Sequence, residues 1–178
     1  GPGYLYIHCL WVSGSYKGKG HGGALLDSCI QEARAQRCAG VCVLSADRKK
    51  PFLSEKGIFV KYGFEVVDTL PGGYELLALT LDGSKPRFAD TARAMRIPEE
   101  DLTIYHSPQC PYIADCLQQV CAVCEREGIP LRLIPVESAA QAKALPGVFN
   151  NWAVFYKGQF QTLHLLNEGY LMKMLASS

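Results

Sequence analysis

The sequence predicts an α/β chain built from two modules, and three observations carry that expectation. An apolar run over residues 4–12 leads into the loop Lys17-Gly18-Lys19-Gly20-His21-Gly22-Gly23, which opens into a helical pattern. Strand and helix patterns then alternate as far as Leu81. After Leu81 the chain turns polar, and a new β-α-β unit followed by β-β starts near Leu102. The expected organisation is a first module over 4–81, a linker over 82–100 with a short helix in 87–96, and a second module over 101–178.

Each element has a local reason. Residues 4–12 are apolar enough for a strand, and Ser13-Gly14-Ser15-Tyr16 is a loop. A helix is expected over 22–36, with Leu26, Ile30 and Ala33 on one face and Leu25 and Cys29 beside them. Val41-Cys42-Val43-Leu44 is a continuous apolar run, as in a buried central strand. Pro51 suits a helix start, so a helix is expected over 52–62 and ended by Gly63. Strands over 64–68 and 74–81 flank the turn Pro71-Gly72-Gly73. In the second module a strand over 102–105 precedes Ile113, Cys116, Leu117, Val120 and Cys124 at helical spacing. Strands over 131–136 and 151–156 follow, then a hairpin turn at Lys157-Gly158-Gln159 and a strand over 160–163.

Composition narrows the function classes. The 178 residues are 48% apolar with a formal charge of +1, which predicts a packed core and gives no global basis for binding nucleic acid or an anionic membrane. Lys17, Lys19 and Arg48-Lys49-Lys50 are local basic spots only. No apolar stretch has the length of a membrane span. Eight cysteines without a secretory signal fit reduced thiols in the cytoplasm. Gly1-Pro2-Gly3 reads as the remnant of a protease tag, so the natural chain is expected to begin near Tyr4 or to extend upstream.

Glycines let a backbone approach a ligand, and the unpaired N–H groups of a helix start suit phosphate. Three phosphate-binding patterns compete for the loop. A P-loop needs four residues before Gly-Lys and then a hydroxyl; Gly14 lies too close to Gly18-Lys19, and Gly20 follows. The dinucleotide fingerprint fits Gly18-x-Gly20-x-x-Gly23, with Asp47 after the next strand, but residues 13–17 intervene between strand and glycine. Lys17-x-x-Gly20-x-Gly22 fits best and resembles the Arg/Gln-x-x-Gly-x-Gly/Ala signature of the GNAT family of N-acetyltransferases. Phe59-x-x-Tyr62-Gly63-Phe64 resembles that family's helix-to-strand corner. A glycine-rich turn that holds nothing is the plain alternative.

The GNAT resemblance implies a partial GNAT-like mixed sheet with helices, and acetyl-CoA (coenzyme A) as the cofactor. It implies that Lys17, Gly18, Lys19, Gly20, His21, Gly22 and Gly23 hold the diphosphate, with a backbone N–H near Val12 for the oxyanion. The acceptor would be a small-molecule or peptide amine, with the family's opening strand and paired helices unmatched in this sequence. The tyrosine that protonates the leaving group in many members is matched here by Phe59, which leaves Tyr62 as the candidate catalytic acid. Tyr6 stands where some members carry a glutamate base, and His8 and His21 are candidate proton relays. An unpaired edge at the first strand would allow a homodimer.

In the second module, His106-Ser107-Pro108-Gln109-Cys110-Pro111-Tyr112-Ile113 resembles the Cys-Pro-Tyr-Cys site of glutaredoxins with Ile113 for the second cysteine. The resemblance implies a thioredoxin-like α/β domain. A thiol at a helix start is favoured as thiolate, so Cys110 is the candidate reactive cysteine. Asn150-Asn151 occupies the place of that fold's proline before the third strand. Cys116, Cys121 and Cys124 lie inside an amphipathic pattern and are expected to pack rather than bind metal. The two modules together resemble the bacterial YoaP family, through Trp11-Val12-Ser13-Gly14, Lys50-Pro51-Phe52-Leu53-Ser54 and Phe155-Tyr156-x-Gly158. The expected function is acetyl-CoA-dependent N-acyl transfer. The alternatives are a non-catalytic binding module or a monothiol redox protein acting through the second half.

Overall fold

A computed structural model describes residues 3–177, so Gly1 and Pro2 of the expected tag remnant lie outside the described residues. The chain divides into two compact units, Gly1–Phe88 and Ala89–Ser178. Among the described residues no helix is long and apolar enough to cross a membrane.

The first unit is a four-stranded sheet in the order β1-β2-β4-β3, made of β1 (Tyr4–Ile7), β2 (Gly40–Ala46), β3 (Glu65–Leu70) and β4 (Tyr74–Thr80). β1 runs parallel to β2, while β4 lies antiparallel to both β2 and β3. A strand is two-sided, so β1 sends Leu5 and Ile7 to one core and Tyr4 and Tyr6 to the other. The first core holds Leu26 and Ala33 of α1 (His21–Ala35), Phe59 of α2 (Lys56–Lys61), and Val41, Val43, Phe64 and Leu77. The second gathers Cys42, Leu76 and Ala78 with Val67 and Phe88 around them. Every residue of β2 is buried, which is why that strand reads as an unbroken apolar run.

Two boundaries and the exposure of one side chain depart most from the sequence expectation. β1 stops at Ile7 rather than at residue 12, because β2 carries on to Ala46 with β4 while β1 has no further register with it. The chain then runs through an irregular stretch to a 3-10 turn at Gly14–Tyr16. α2 begins at Lys56, four residues later than expected, because Phe52 takes φ 62° and the Ser45 hydroxyl holds the Ser54 carbonyl at 2.9 Å. Leu25, expected beside the apolar face of α1, is 52% exposed, being about 100° around the helix from buried Leu26.

The second unit has the order β6-β5-β7-β8, from β5 (Leu102–His106), β6 (Leu131–Pro135), β7 (Trp152–Tyr156) and β8 (Gln159–Thr162). β5 and β6 are parallel and are joined through α3 (Tyr112–Glu127); β7 is antiparallel to both β5 and β8. Ile113, Cys116, Val120, Val123 and Cys124 of α3 pack with Ile104, Trp152, Val154 and Leu171. Two helices were not expected. α4 (Ala139–Ala144) starts on a capping box between Ser138 and Gln141, and α5 (Glu168–Ala176) on Asn167, which accepts from the Tyr170 N–H. Residues 89–100 belong to this unit. Their one ordered turn is Thr91–Arg93, and Ile97 N–H donates to the Gly158 carbonyl while Phe160 N–H donates to that of Met95, both at 2.9 Å.

Phe59 has no solvent exposure and meets Phe64 edge-on at 5.3 Å between ring centres. Phe59→Ala should therefore destabilise the chain by about 3–5 kcal/mol, read as a lowered midpoint in urea denaturation.

Candidate functional site

The site is built where β1 gives up its partner. Beyond Ile7 the chain leaves β2, so the backbone from His8 to Ser13 lies outside the sheet ladder. It reaches the glycine loop through the Gly14–Tyr16 turn, in which Lys17 N–H donates to the Gly14 carbonyl at 3.3 Å. Gly20 is the N-cap of α1 at φ 83°, a backbone that side chains rarely tolerate, and no side chain caps the helix. The first helical N–H returned to the helix is that of Ala24, donating to the Gly20 carbonyl at 3.0 Å. The N–H groups of His21, Gly22 and Gly23 precede it, at the positive end of the helix dipole.

Space at the loop fits an anionic group. A Cβ at Gly14, Gly18 or Gly20 would meet no atom within 4 Å. At Gly22 it would lie 3.4 Å from Ile58 Cδ1 and 3.8 Å from Val12 Cγ2, so Val12 sits against the first turn of α1. Gly23 has a different role. A Cβ there would collide with the Tyr62 hydroxyl, so this glycine makes room for a side chain of the protein. The Tyr62 hydroxyl also lies 3.4 Å from Asp27 Oδ2. Loss of solvent, with the Asp27 carboxylate beside it, pushes that hydroxyl above the ordinary tyrosine value.

The cationic side chains lie over rings. Lys17 Nζ is 5.0 Å from the centre of the Trp11 ring and Lys19 Nζ is 5.8 Å from that of Tyr16. Tyr16 meets His21 edge-on at 5.9 Å. Thus the structure brings Val12, the whole loop from Lys17 to Gly23, and Tyr62 to the start of one helix. The sequence reading missed Asp27, Ile58 and Tyr16 here. Asp27 lies four residues after Gly23, one helical turn on, and that spacing was its only signal.

Tyr6 and His8 point away from the face that carries α1, with ring centres 4.6 Å apart. Burial drives the Tyr6 hydroxyl far up, which keeps it protonated. Burial lowers His8, so its imidazole is neutral at pH 7. Cys110 belongs to the second unit, partly exposed, two residues ahead of α3 with Pro111 as the N-cap. Its loop is tied to β7 by Ser107 N–H, which donates at 2.9 Å to the carbonyl of Asn151, a residue at φ 69°. Cys116 and Cys124 are buried in α3. Burial raises both thiols, and that of Cys116 donates to the Leu166 carbonyl at 3.2 Å. Among the described residues no group of three His, Cys, Asp or Glu side chains is placed to hold a metal.

Comparison with known proteins bears on both units. Residues 1–54 match the Acetyltransferase (GNAT) family, and residues 130–173 match the YoaP-like family. The chain is 33% identical over 176 residues to "Uncharacterized N-acetyltransferase YoaP" of Bacillus subtilis (strain 168), covering 98% of this chain and 70% of that protein. The solved structure "Crystal structure of putative acetyltransferase from Agrobacterium tumefaciens" aligns at 26% identity with a TM-score of 0.33. That alignment covers 44% of this chain and 56% of the other.

The contact between Gly23 and Tyr62 gives a double-mutant test. In a Tyr62→Phe background the obstructing oxygen is gone and the next ring atom stands at 3.5 Å, so Gly23→Ala should stabilise by about 0.5–1 kcal/mol through helix propensity. With Tyr62 present, the same change should be less favourable by about 1 kcal/mol. Urea denaturation of all four proteins measures that coupling.

Proposed function

Because the chain belongs to the acetyltransferase family of the Bacillus YoaP protein, we propose that its first unit binds acetyl-CoA and passes the acetyl group to an amine. The observation that carries this reading is the glycine-capped, side-chain-free start of α1, set beside a strand that has left its sheet. Bound acetyl-CoA supplies an activated thioester, and the remaining chemistry falls to the residues around it.

The N–H groups of His21, Gly22 and Gly23 and the open loop at Gly18 and Gly20 hold the diphosphate, with Lys17 and Lys19 adding positive field. The backbone approaching Val12, beyond the register of β1 with β2, faces the amides of the pantetheine arm. The Val12 N–H would be the donor that stabilises negative charge on the acetyl carbonyl oxygen. His8, held neutral by burial, takes the proton that the attacking amine must lose. Tyr62 keeps its proton at neutral pH. Resting against Asp27 it braces the first turn of α1, and turned toward the departing thiolate it supplies that proton.

For the second unit we propose a thioredoxin-like domain. Its support is the β-α-β-α-β-β-α succession and the β6-β5-β7-β8 order, with Cys110 just before the central helix. This arrangement favours a second reading, in which Cys110 exchanges with small disulfides as a monothiol. Incubation with oxidised glutathione followed by mass spectrometry should then give an adduct on Cys110 sooner than on exposed Cys9, while buried Cys42, Cys116 and Cys124 stay unmodified. An unmodified Cys110 would remove this reading.

Calorimetric titration with acetyl-CoA tests the first. Gly20→Glu puts a carboxylate against the phosphates and a side chain at φ 83°, and should lower affinity by at least about a hundredfold. Unchanged affinity in that variant would end the assignment.

A further inference from the structure

We propose that Trp11, Tyr16, Lys17 and Lys19 form a nucleotide-reading rim, which takes the adenine ring and the 3′-phosphate of coenzyme A. This rests on the acetyl-CoA reading above and assigns it a specificity that the loop amides alone do not provide.

The rim is defined by exposure and by pairing. Trp11 is 67% exposed and Tyr16 62% exposed, although this unit has two apolar cores able to bury large side chains. Isolated exposed aromatics are ordinary on protein surfaces. These two lie within six residues of each other in sequence, on the approach to a glycine-lined helix start, and each has a lysine amine over its ring. Tyr16 is further tied to His21, the first residue of α1, by their edge-on contact. Tyr16 is thus placed at the first residue of α1 and Trp11 is linked to the same loop through Lys17, while a Cβ at Gly14, Gly18 or Gly20 would meet open space.

Ligand chemistry then divides among the groups present. Coenzyme A carries a diphosphate, a third phosphate on the ribose, and a flat heteroaromatic base. The helix-start amides are a fixed and limited set and account for the diphosphate. The third phosphate has no such donors left to it. It suits an ammonium group, a compact charge on a flexible stem that reaches a dianion without demanding one geometry. Lys17 and Lys19 have that character, and lying over the rings keeps both amines at the surface where the nucleotide end of the cofactor must sit. The base stacks on Trp11 or Tyr16, because an exposed indole or phenol presents a face that any purine can cover.

The test compares three ligands by calorimetry on the full chain: acetyl-CoA, its 3′-dephospho form, and acetyl-phosphopantetheine, which lacks the nucleoside. The wild-type chain should bind the dephospho form about tenfold more weakly than acetyl-CoA, as for loss of a charge-assisted contact. Lys17→Ala combined with Lys19→Ala should bring the ratio between those two ligands to unity. Trp11→Ala combined with Tyr16→Ala should weaken both nucleotide ligands by about tenfold and leave acetyl-phosphopantetheine unchanged. All four side chains are at the surface of the loop, so the urea midpoints of the variants should match that of the wild type. Equal wild-type affinity for acetyl-CoA and the dephospho form would overturn the rim while leaving the acetyl-CoA reading intact. A preference that survives loss of both lysines, or nucleotide binding indifferent to loss of both rings, would overturn it as well. Failure of all three ligands to bind would sink the rim together with the reading beneath it.

Discussion

An α-helix begins with N–H groups that its own backbone cannot satisfy, and the start of α1 leaves them without a side chain. A Ser, Thr, Asp or Asn cap contributes about 0.5–2 kcal/mol relative to alanine, while replacing it with glycine costs only about a few tenths of a kcal/mol. Gly20 in the left-handed region therefore keeps most of the conformational benefit of a cap without filling the space in front of the helix. Elsewhere the same chain caps with side chains: Ser138 and Gln141 close the start of α4, and Asn167 that of α5. The two longest helices, α1 and α3, lack such a cap, and they begin at the loop and just after Cys110, respectively. α2, which packs through Phe59, also starts without a side-chain cap, so what sets α1 apart is the glycine at its N-cap rather than the missing side chain alone.

Holding that start in place is a matter of packing at a distance. α2 contributes one fully buried ring, Phe59, and two partly buried side chains that reach the first turn of α1: Ile58 against Gly22 and Tyr62 over Gly23. The glycines of this loop thus divide by task. Gly18 and Gly20 stand in open space, a Cβ at Gly22 would make ordinary contact with Ile58 and Val12, and Gly23 alone of these four is small because a side chain of the protein, Tyr62, comes too close. At the other end of α2, Lys56 pairs with Glu75 of β4 at 2.7 Å, and Glu75 is largely buried. α2 is consequently fixed to the sheet at one end and to α1 at the other, so the loop inherits its position from the core.

Much of this was legible in the sequence because it rests on local rules. The glycine spacing, the apolar face of α1 through Leu26, Ile30 and Ala33, the buried run of β2 and the Pro71-Gly72-Gly73 turn each have a signal a few residues long. What was misplaced depends on partners distant in sequence. β1 ends early because of its register with β2, and nothing in residues 8–12 signals that. α2 starts late because Ser45 holds Ser54 and Phe52 takes a left-handed backbone that Pro51 does not foretell. α4 and α5 were different. Ser138-x-x-Gln141 and Asn167 followed by Glu168 are start signals, but each opens a short helix of six or nine residues with few turns of apolar periodicity behind it. Phe59 and Tyr62 could be located as a corner, but only the coordinates show that one is buried core and the other reaches across to Asp27.

The period-two geometry of β1 explains how one short strand serves two environments. Leu5 and Ile7 anchor it to the core beneath α1, which fixes where the chain leaves the sheet. Tyr4 and Tyr6 face the opposite way, and Tyr4 reaches the Ser84 carbonyl through its hydroxyl. On that side burial acts with opposite sign on the two kinds of titrating group, as it must when only the charged form is penalised. A phenol charges by losing its proton, so Tyr6 keeps it and is excluded as a base near neutrality. An imidazole charges by gaining one, so His8 stays unprotonated and is a weaker base than an ordinary imidazole. The same desolvation therefore keeps the Tyr6 phenol protonated and the His8 imidazole neutral, two residues along, at the point where the strand gives way to the backbone that leads to Val12.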